Sequence, residues 1–369
     1  MITITHLSEA FRIATRAYIT KHKGFTKYKG DATGICEQII RRCWNGSYFQ
    51  TSTGHFCQFY SRDFSWCVEA LLKLGYREEV AKTLEYALSR FSAYKKVCVG
   101  ITPSGRPFDF PYYAVDSLPS IIRSLRIAKL YDLVERYYPF IEQELTKFFR
   151  LVVDQPTGLV KQSKVFSSIK DHSIRQSSCY DNVMLGMLSS DLDKLKIENP
   201  LANYNYRKIL KEHFWNGKAF IDSIGTDAIT GDANVFPFWS GLFTSKKMLL
   251  SAINSIQDEG LDKPFPLRYS STPRINRMLW LSSITKNYEG NTVWTHIGII
   301  YIGLVRKINK KTAERYINEY KKLIEKFGTW VEVFNPDTTP YSSMFYFSDE
   351  GMLWAANFLD LIKNDDRIF

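Results

Sequence analysis

Apolar residues recur at helical spacing along most of this chain, and alternate like a strand almost nowhere. In residues 63–75, Phe64, Cys67, Ala70, Leu71 and Leu74 share one face and Gly75 ends the run. Val183, Met184, Met187 and Leu188 mark residues 181–195 in the same way. Ser117 ahead of Pro119 reads as a helix start. The same reasoning predicts helices over 77–94, 117–131, 133–153, 201–214, 244–258, 293–308, 311–327 and 350–362. Only 97–102 and 219–224 read as short extended stretches. With no strand–helix alternation, no GxGxxG and no P-loop, the α/β nucleotide-binding folds are excluded. No Pro/Ser/Gly linker divides the 369 residues, so one closed, all-α helical array over 1–369 is expected, as a single domain.

Charge narrows the partners. The chain carries 49 Lys and Arg against 38 Asp and Glu, a formal net charge of +11. The basic pairs Lys95-Lys96, Lys246-Lys247, Lys310-Lys311 and Lys321-Lys322 lie far apart, so they read as a solvated surface rather than a nucleic-acid stripe. No apolar run approaches the length of a membrane span, and the first residues lack a signal-peptide core. Cys36, Cys43, Cys57, Cys67, Cys98 and Cys179 show no metal-ligand spacing and read as free thiols of a reducing, cytoplasmic compartment. Neither a nucleic-acid nor a membrane partner is expected, and the sequence sets no oligomeric state.

The loops are the unusual part. Those over 103–116, 162–180, 222–237, 267–293 and 334–349 are long and rich in polar and aromatic residues, which in a compact domain points to function. Arg62-Asp63 opens a helix beside Phe64 and Trp66 and suits a grip on adjacent hydroxyls, though Asp63 also suits a helix cap. Asp109 and Asp116 sit among rings and prolines, and Asp116 reads as a turn or cap residue. Arg175 and Tyr180 precede Asp181 at the start of an apolar helix. Asp232, Asn234, Trp239, Trp294 and His296 look like ligands for something polar and flat. His296 has no second histidine at ligand spacing, so neither zinc nor any other metal or cofactor is expected. Glu332 stands between Trp330 and Phe334, where a carboxyl pKa is prone to shift. Asp349 reads as the cap of the last helix, with Trp354 facing inward.

Two carboxyls at one mouth are the raw material of glycoside hydrolysis. Inversion needs a proton donor and a water-activating base about 6.5–9.5 Å apart. The donor should be the more buried, and the base should stay ionised and see solvent.

Arg62-Asp63, Tyr180-Asp181, Glu332-Val333-Phe334-Asn335-Pro336 and the aromatic run over 351–359 together resemble the six-hairpin glycosidases: the glucoamylase, trehalase and glucosidase/mannosylglycerate-hydrolase families. The resemblance touches short segments over 59–360. It implies an (α/α)6 toroid, with Arg62-Asp63 holding the terminal sugar, Asp181 as acid and Glu332 as base. The function it implies is an inverting, exo-acting hydrolase of an α-linked glucoside, such as an oligosaccharide or trehalose. A phosphorylase or epimerase on the same barrel, and a barrel that only binds carbohydrate, are the rival expectations.

Overall fold

The computed structural model describes residues 3–110, 112–273, 276–279 and 285–363. The remainder of the 267–293 loop, residues 274–275 and 280–284, lies outside the described residues.

Helices α3 (Ser61–Lys73), α5 (Ser117–Ala128), α8 (Cys179–Leu195), α10 (Gly231–Trp239), α12 (Thr295–Arg306) and α14 (Ala355–Lys363) each pack on the next, and α14 closes on α3. Outside this ring α2 (Ala32–Cys43) packs on α14, and α4 (Arg77–Tyr94) lies against α3 and α5. Next come α6 (Tyr131–Arg136) with α7 (Tyr138–Val152), then α9 (Tyr206–Phe214) on α8, α11 (Lys246–Asp258) on α10, and α13 (Lys310–Phe327) on α12. Outer and inner helices therefore alternate along the chain. That alternation is the (α/α)6 toroid.

The two rings bury differently. Outer helices such as α13 bury one stripe (Ala313, Tyr316, Ile317, Tyr320 and Ile324) and expose the rest. Along α10, Gly231 to Phe238 are all buried. A helix apolar all round has no 3.6-residue contrast, which is why the 222–237 stretch reads as loop in the sequence although its second half is helix. Pro237 does not stop α10. Gly231 is required there, because a Cβ would lie 2.4 Å from the Arg268 carbonyl oxygen.

Among the described residues strand is limited to two-residue segments in one three-stranded and two two-stranded sheets. β1 (Phe59–Tyr60), β2 (Gly100–Ile101) and β3 (Pro107–Phe108) form an antiparallel sheet with Phe59 opposite Ile101 and Gly100 opposite Phe108. β4 (Ser173–Ile174) pairs with β5 (Arg277–Met278), and β6 (Val293–Trp294) with β7 (Val333–Phe334). The expected strand over 97–102 shrinks to β2, and 219–224 makes only isolated bridges. One further helix, α1 (Ile4–Lys23), stands outside the alternation with only Ala17 buried. Arg12 donates to the His55 carbonyl at 2.8 Å and Arg16 to that of Gly54 at 2.6 Å, tying α1 to the loop before β1.

All six cysteines are free. Among the described residues no helix is long and apolar enough to cross a membrane.

Candidate active site

A cavity of about 500 Å³ opens where the inner helices begin. The first turn of α3 supplies Arg62, Asp63 and Trp66, and the start of α12 supplies His296 just after Trp294 of β6. The segment before α14 brings Glu332, Tyr346, Met352 and Trp354, and the loops before α8 and β6 bring Asp171, Tyr288 and Glu289. Helix N-termini favour anions and polar ligands, so residues at these positions meet a field suited to sugar hydroxyls and carboxylates.

Arg62 is the electrostatic hub. Its guanidinium lies 3.2 Å from Asp116, 3.3 Å from Asp171 and 3.9 Å from Asp63, and also donates to the Ser168 carbonyl. One cation thus faces three carboxyls, and full ionisation would leave uncompensated negative charge in a buried place. Protons relieve it. Burial pushes the Asp171 carboxyl up to about 7; Glu289 and Asp116 add to the rise and Arg62 opposes it. Burial likewise raises Asp63 to about 6 against the pull of Arg62 and of the Trp354 indole, whose Nε1 donates to Asp63 at 3.1 Å. Asp171 Oδ1 is buried and has no hydrogen-bond partner among the described residues, whereas Glu289 is held by the His172 amide at 2.9 Å and the Ser173 hydroxyl at 3.1 Å.

Glu332 has its own support. Its carboxylate accepts from the hydroxyls of Tyr288 and Tyr346, both at 2.6 Å, and from the Asp349 amide at 2.9 Å. Burial nevertheless raises it to about 7, and Asp349 adds to this. The same burial keeps both tyrosines protonated as donors. Glu332 is therefore a buried carboxyl, only 2% exposed, rather than the solvent-facing one expected.

His296 stacks flat on Trp66, with ring centroids 4.6 Å apart and 2° between planes. Burial first, then Arg62, lowers its pKa well below the usual histidine value, so the ring is neutral. Nε2 meets the Tyr269 hydroxyl at 3.2 Å, and buried Nδ1 has no partner.

Arg62, Asp63, Trp66, Trp294, His296 and Glu332 thus line one cavity. Seven other expected site residues do not. Asp181 is buried at the start of α8, and burial raises its carboxyl to about 6 against the opposing pull of Arg175, Ser178 and Ser168. Arg175 and Asp232 are paired at 2.9 Å within a buried quartet completed by Lys170 and Asp222. Tyr180 donates to Asp116 at 3.1 Å. Asn234 clamps the chain, accepting from the Phe220 amide and donating to the Phe220 and Thr230 carbonyls. Trp239 lies under the Arg123 guanidinium at 4.1 Å, and Asp109 pairs with Lys96. Arg175, Asp232, Tyr180 and Asn234 are buried polar groups held by protein partners, whereas Asp181 Oδ1 is buried without a hydrogen-bond partner among the described residues.

Sequence reading passed over Asp171, which stands between Lys170 and His172 and looks like a solvated loop residue; the long 162–180 loop was its only signal. Asp116, read as a turn or cap residue, orients Arg62 instead. Asp349 is no helix cap: it accepts from Ser52 and from the amides of His55 and Phe56, and meets His55 Nδ1 at 3.1 Å. Among the described residues no cluster of three or more potential metal ligands occurs.

No sequence-family model and no curated protein sequence matches the chain. Solved structures do match in shape. A mannosylglycerate hydrolase from Thermus thermophilus superposes at TM-score 0.62 and 10% identity, over 90% of this chain and 100% of its own. The chain has the fold of the six-hairpin glycosidases. A glycosidase alanine variant in complex with glucose superposes at TM-score 0.62 and 10% identity, over 99% of both chains. A bacterial glucoamylase complexed with acarbose does so at 0.63 and 11%, over 89% of this chain and 55% of its own. A rhamnosidase from Klebsiella oxytoca, with rhamnose bound, matches over 91% of this chain and 64% of its own, at TM-score 0.62 and 10% identity.

Proposed function

We propose that this protein is an inverting, exo-acting glycoside hydrolase in which Asp171 is the general acid and Glu332 the general base. The observation that carries the reading is one cavity holding two carboxyls in separate networks. Asp171 is shifted by burial and by Arg62, Glu289 and Asp116, whereas Asp349 is the charge that shifts Glu332. Separate networks suit a gap that admits a water, the geometry of inversion.

The roles follow from the partners. Asp171, with a buried oxygen unpartnered among the described residues and a pKa near neutrality, keeps its proton until the leaving oxygen takes it. Glu332, fixed by Tyr288, Tyr346 and the Asp349 amide, takes a proton from the attacking water. Arg62 and Asp63, the latter held by the Trp354 indole, offer a donor and an acceptor to adjacent hydroxyls, and the stacked pair Trp66–His296 lines the same cavity. Asp171 replaces Asp181 as the acid because Asp171 lines the cavity and Asp181 is not among its lining residues. The glucose- and acarbose-bound neighbours make an α-glucoside the first configuration to assay.

The test is reducing-sugar release from α- and β-linked glycosides, with the anomer of the nascent product followed by NMR. Inverted product, abolished in Asp171→Asn and Glu332→Gln, supports the reading. Retained product refutes inversion, and full activity in either amide variant refutes the assignment.

A further inference from the structure

The cavity is chemically divided. Its lining holds the charged Arg62, Asp63, Asp171 and Glu332 and a second, outer set in which Ala10, Ile13 and Ala14 of α1, the helix outside the ring, join Phe56, Phe108 and Phe110 beside the residues that α1 bonds. The rings form an unbroken row. Phe110 and Phe108 are 6.4 Å apart at their centroids, Phe108 and Tyr60 5.8 Å, Tyr60 and Phe56 5.9 Å, and Phe56 and Tyr346 6.4 Å. Tyr346 in turn holds Glu332, so the apolar row runs from the base outward. Phe345, 56% exposed, stands at the rim. Tyr60, Phe108, Val99 and Ala114 form a hydrophobic cluster separate from the main core.

Among the described residues the buried Tyr60 hydroxyl has no hydrogen-bond partner, and the polar groups of α1 here are engaged. His6 Nε2 donates to the Asp109 carbonyl at 2.5 Å. Glu9 accepts from Arg12 at 2.8 Å and from Gln58 at 2.6 Å. A second sugar placed here would surrender the water on its hydroxyls and find few replacements, losing about tenfold in affinity per unpaired group. An apolar group loses nothing polar and gains about fourfold per buried methylene.

We infer that the outer part of the cavity is a subsite for an apolar aglycone, so that the substrate is a glycoside of an alkyl or aryl alcohol rather than an oligosaccharide or trehalose. This rests on the hydrolase reading above. In the reaction the bond between the anomeric carbon and the aglycone oxygen breaks. Asp171 protonates that oxygen, and water adds its hydroxyl to the sugar while passing a proton to Glu332. The products are one free sugar and one apolar alcohol. Helix α1 supplies much of the subsite, although it stands outside the barrel.

The experiment compares methyl and octyl glycosides of the same sugar, below the micellar concentration of the octyl compound. Gluco, manno and rhamno series in both anomers are assayed beside maltose and trehalose. Within each pair the sugar and leaving-group chemistry are matched, so the ratio reads the aglycone subsite alone. The octyl compound should exceed the methyl in kcat/KM by at least about tenfold. Ile13→Asn and Ala10→Asp, on a helix outside the ring, should collapse that ratio. A ratio near one, or preference for a disaccharide, overturns the inference while the hydrolase reading stands. Calorimetric titration of both compounds into the unmodified protein separates the remaining cases. Tighter octyl than methyl binding without turnover of any glycoside keeps the subsite and overturns the hydrolase reading. Equal or undetectable binding of both without turnover overturns the two together.

Discussion

The Tyr346 hydroxyl lies 2.6 Å from the Glu332 carboxylate, and the same hydroxyl lies 3.1 Å from that of Tyr288, the second phenol on Glu332. This pair of phenols, with the Asp349 amide, is what allows a carboxylate to ionise at all in so buried a place. Tyr346→Phe removes one donor from the ionised form and leaves the ring in place. Glu332 should then titrate higher by about one pH unit. The acidic limb of the pH–kcat/KM profile should move up accordingly, and an unmoved limb would take Glu332 out of the role of base.

The wild-type profile should be a narrow bell near neutrality. Glu332 must be ionised, so activity rises as pH climbs through about 7; Asp171 must be protonated, so activity falls beyond about 7. Because both transitions sit close together, a minority of molecules carries the productive pair at any pH. Asp171→Asn and Glu332→Gln should each lose about 10²–10⁴-fold in turnover and retain sugar binding. The stability sign runs the opposite way from an ion-paired carboxylate. Both groups have folded pKa values above their unfolded ones, so their contribution is fully present below about pH 4 and is lost as pH rises through about 7. Thermal melts should fall between about pH 4 and pH 7, and the amide variants should flatten that fall.

Asp63 separates ligand from cap. The residue preceding α3 is Tyr60, which makes no side-chain cap, and Asp63 spends an oxygen on the Trp354 indole instead. Asp63→Ala should raise KM for the sugar by an order of magnitude or more, while changing stability by less than about 1 kcal/mol. Unchanged KM with a clear drop in melting temperature would make Asp63 a structural residue.

The quartet behind the cavity is a strut. Lys170 lies 2.9 Å from both Asp222 and Asp232, and Arg175 closes the group. Against the effect of burial, Lys170 and Arg175 hold Asp222 below the usual carboxylate range. Lys170→Met leaves two buried carboxylates sharing one guanidinium and should cost about 3–5 kcal/mol in denaturant unfolding. Adding Asp222→Asn should restore part of the loss; a loss under about 1 kcal/mol would show the quartet to be dispensable.

Helix after helix was legible in the chain because outer helices such as α13 carry a strong one-sided stripe. Arg62, Asp63, Trp66, Trp294, His296 and Glu332 stood out in the chain as polar residues and rings set side by side, and the structure brings them around one cavity. α10 was not legible, because a helix buried on every side loses the polar face that reveals its period.

Asp181 and Asp171 show where local pattern stops. The residues around Asp181 announce a helix start, and the helix is there: Ser178 caps it by accepting from the Asp181 amide at 3.0 Å. Direction is not a local property. Asp181 feels the pull of Arg175, Ser178 and Ser168, while Asp171 lines the cavity beside Arg62, a residue 109 positions earlier in the chain. The sequence by itself determined that helix follows helix with polar, aromatic loops between them, because a one-sided burial stripe is written in neighbouring residues. Which carboxyls meet in one cavity, and which are absorbed by Lys170 and Arg175 in the wall, was decided only by closure of the ring. Desolvation and pairing energies depend on groups that sequence separation does not bring together.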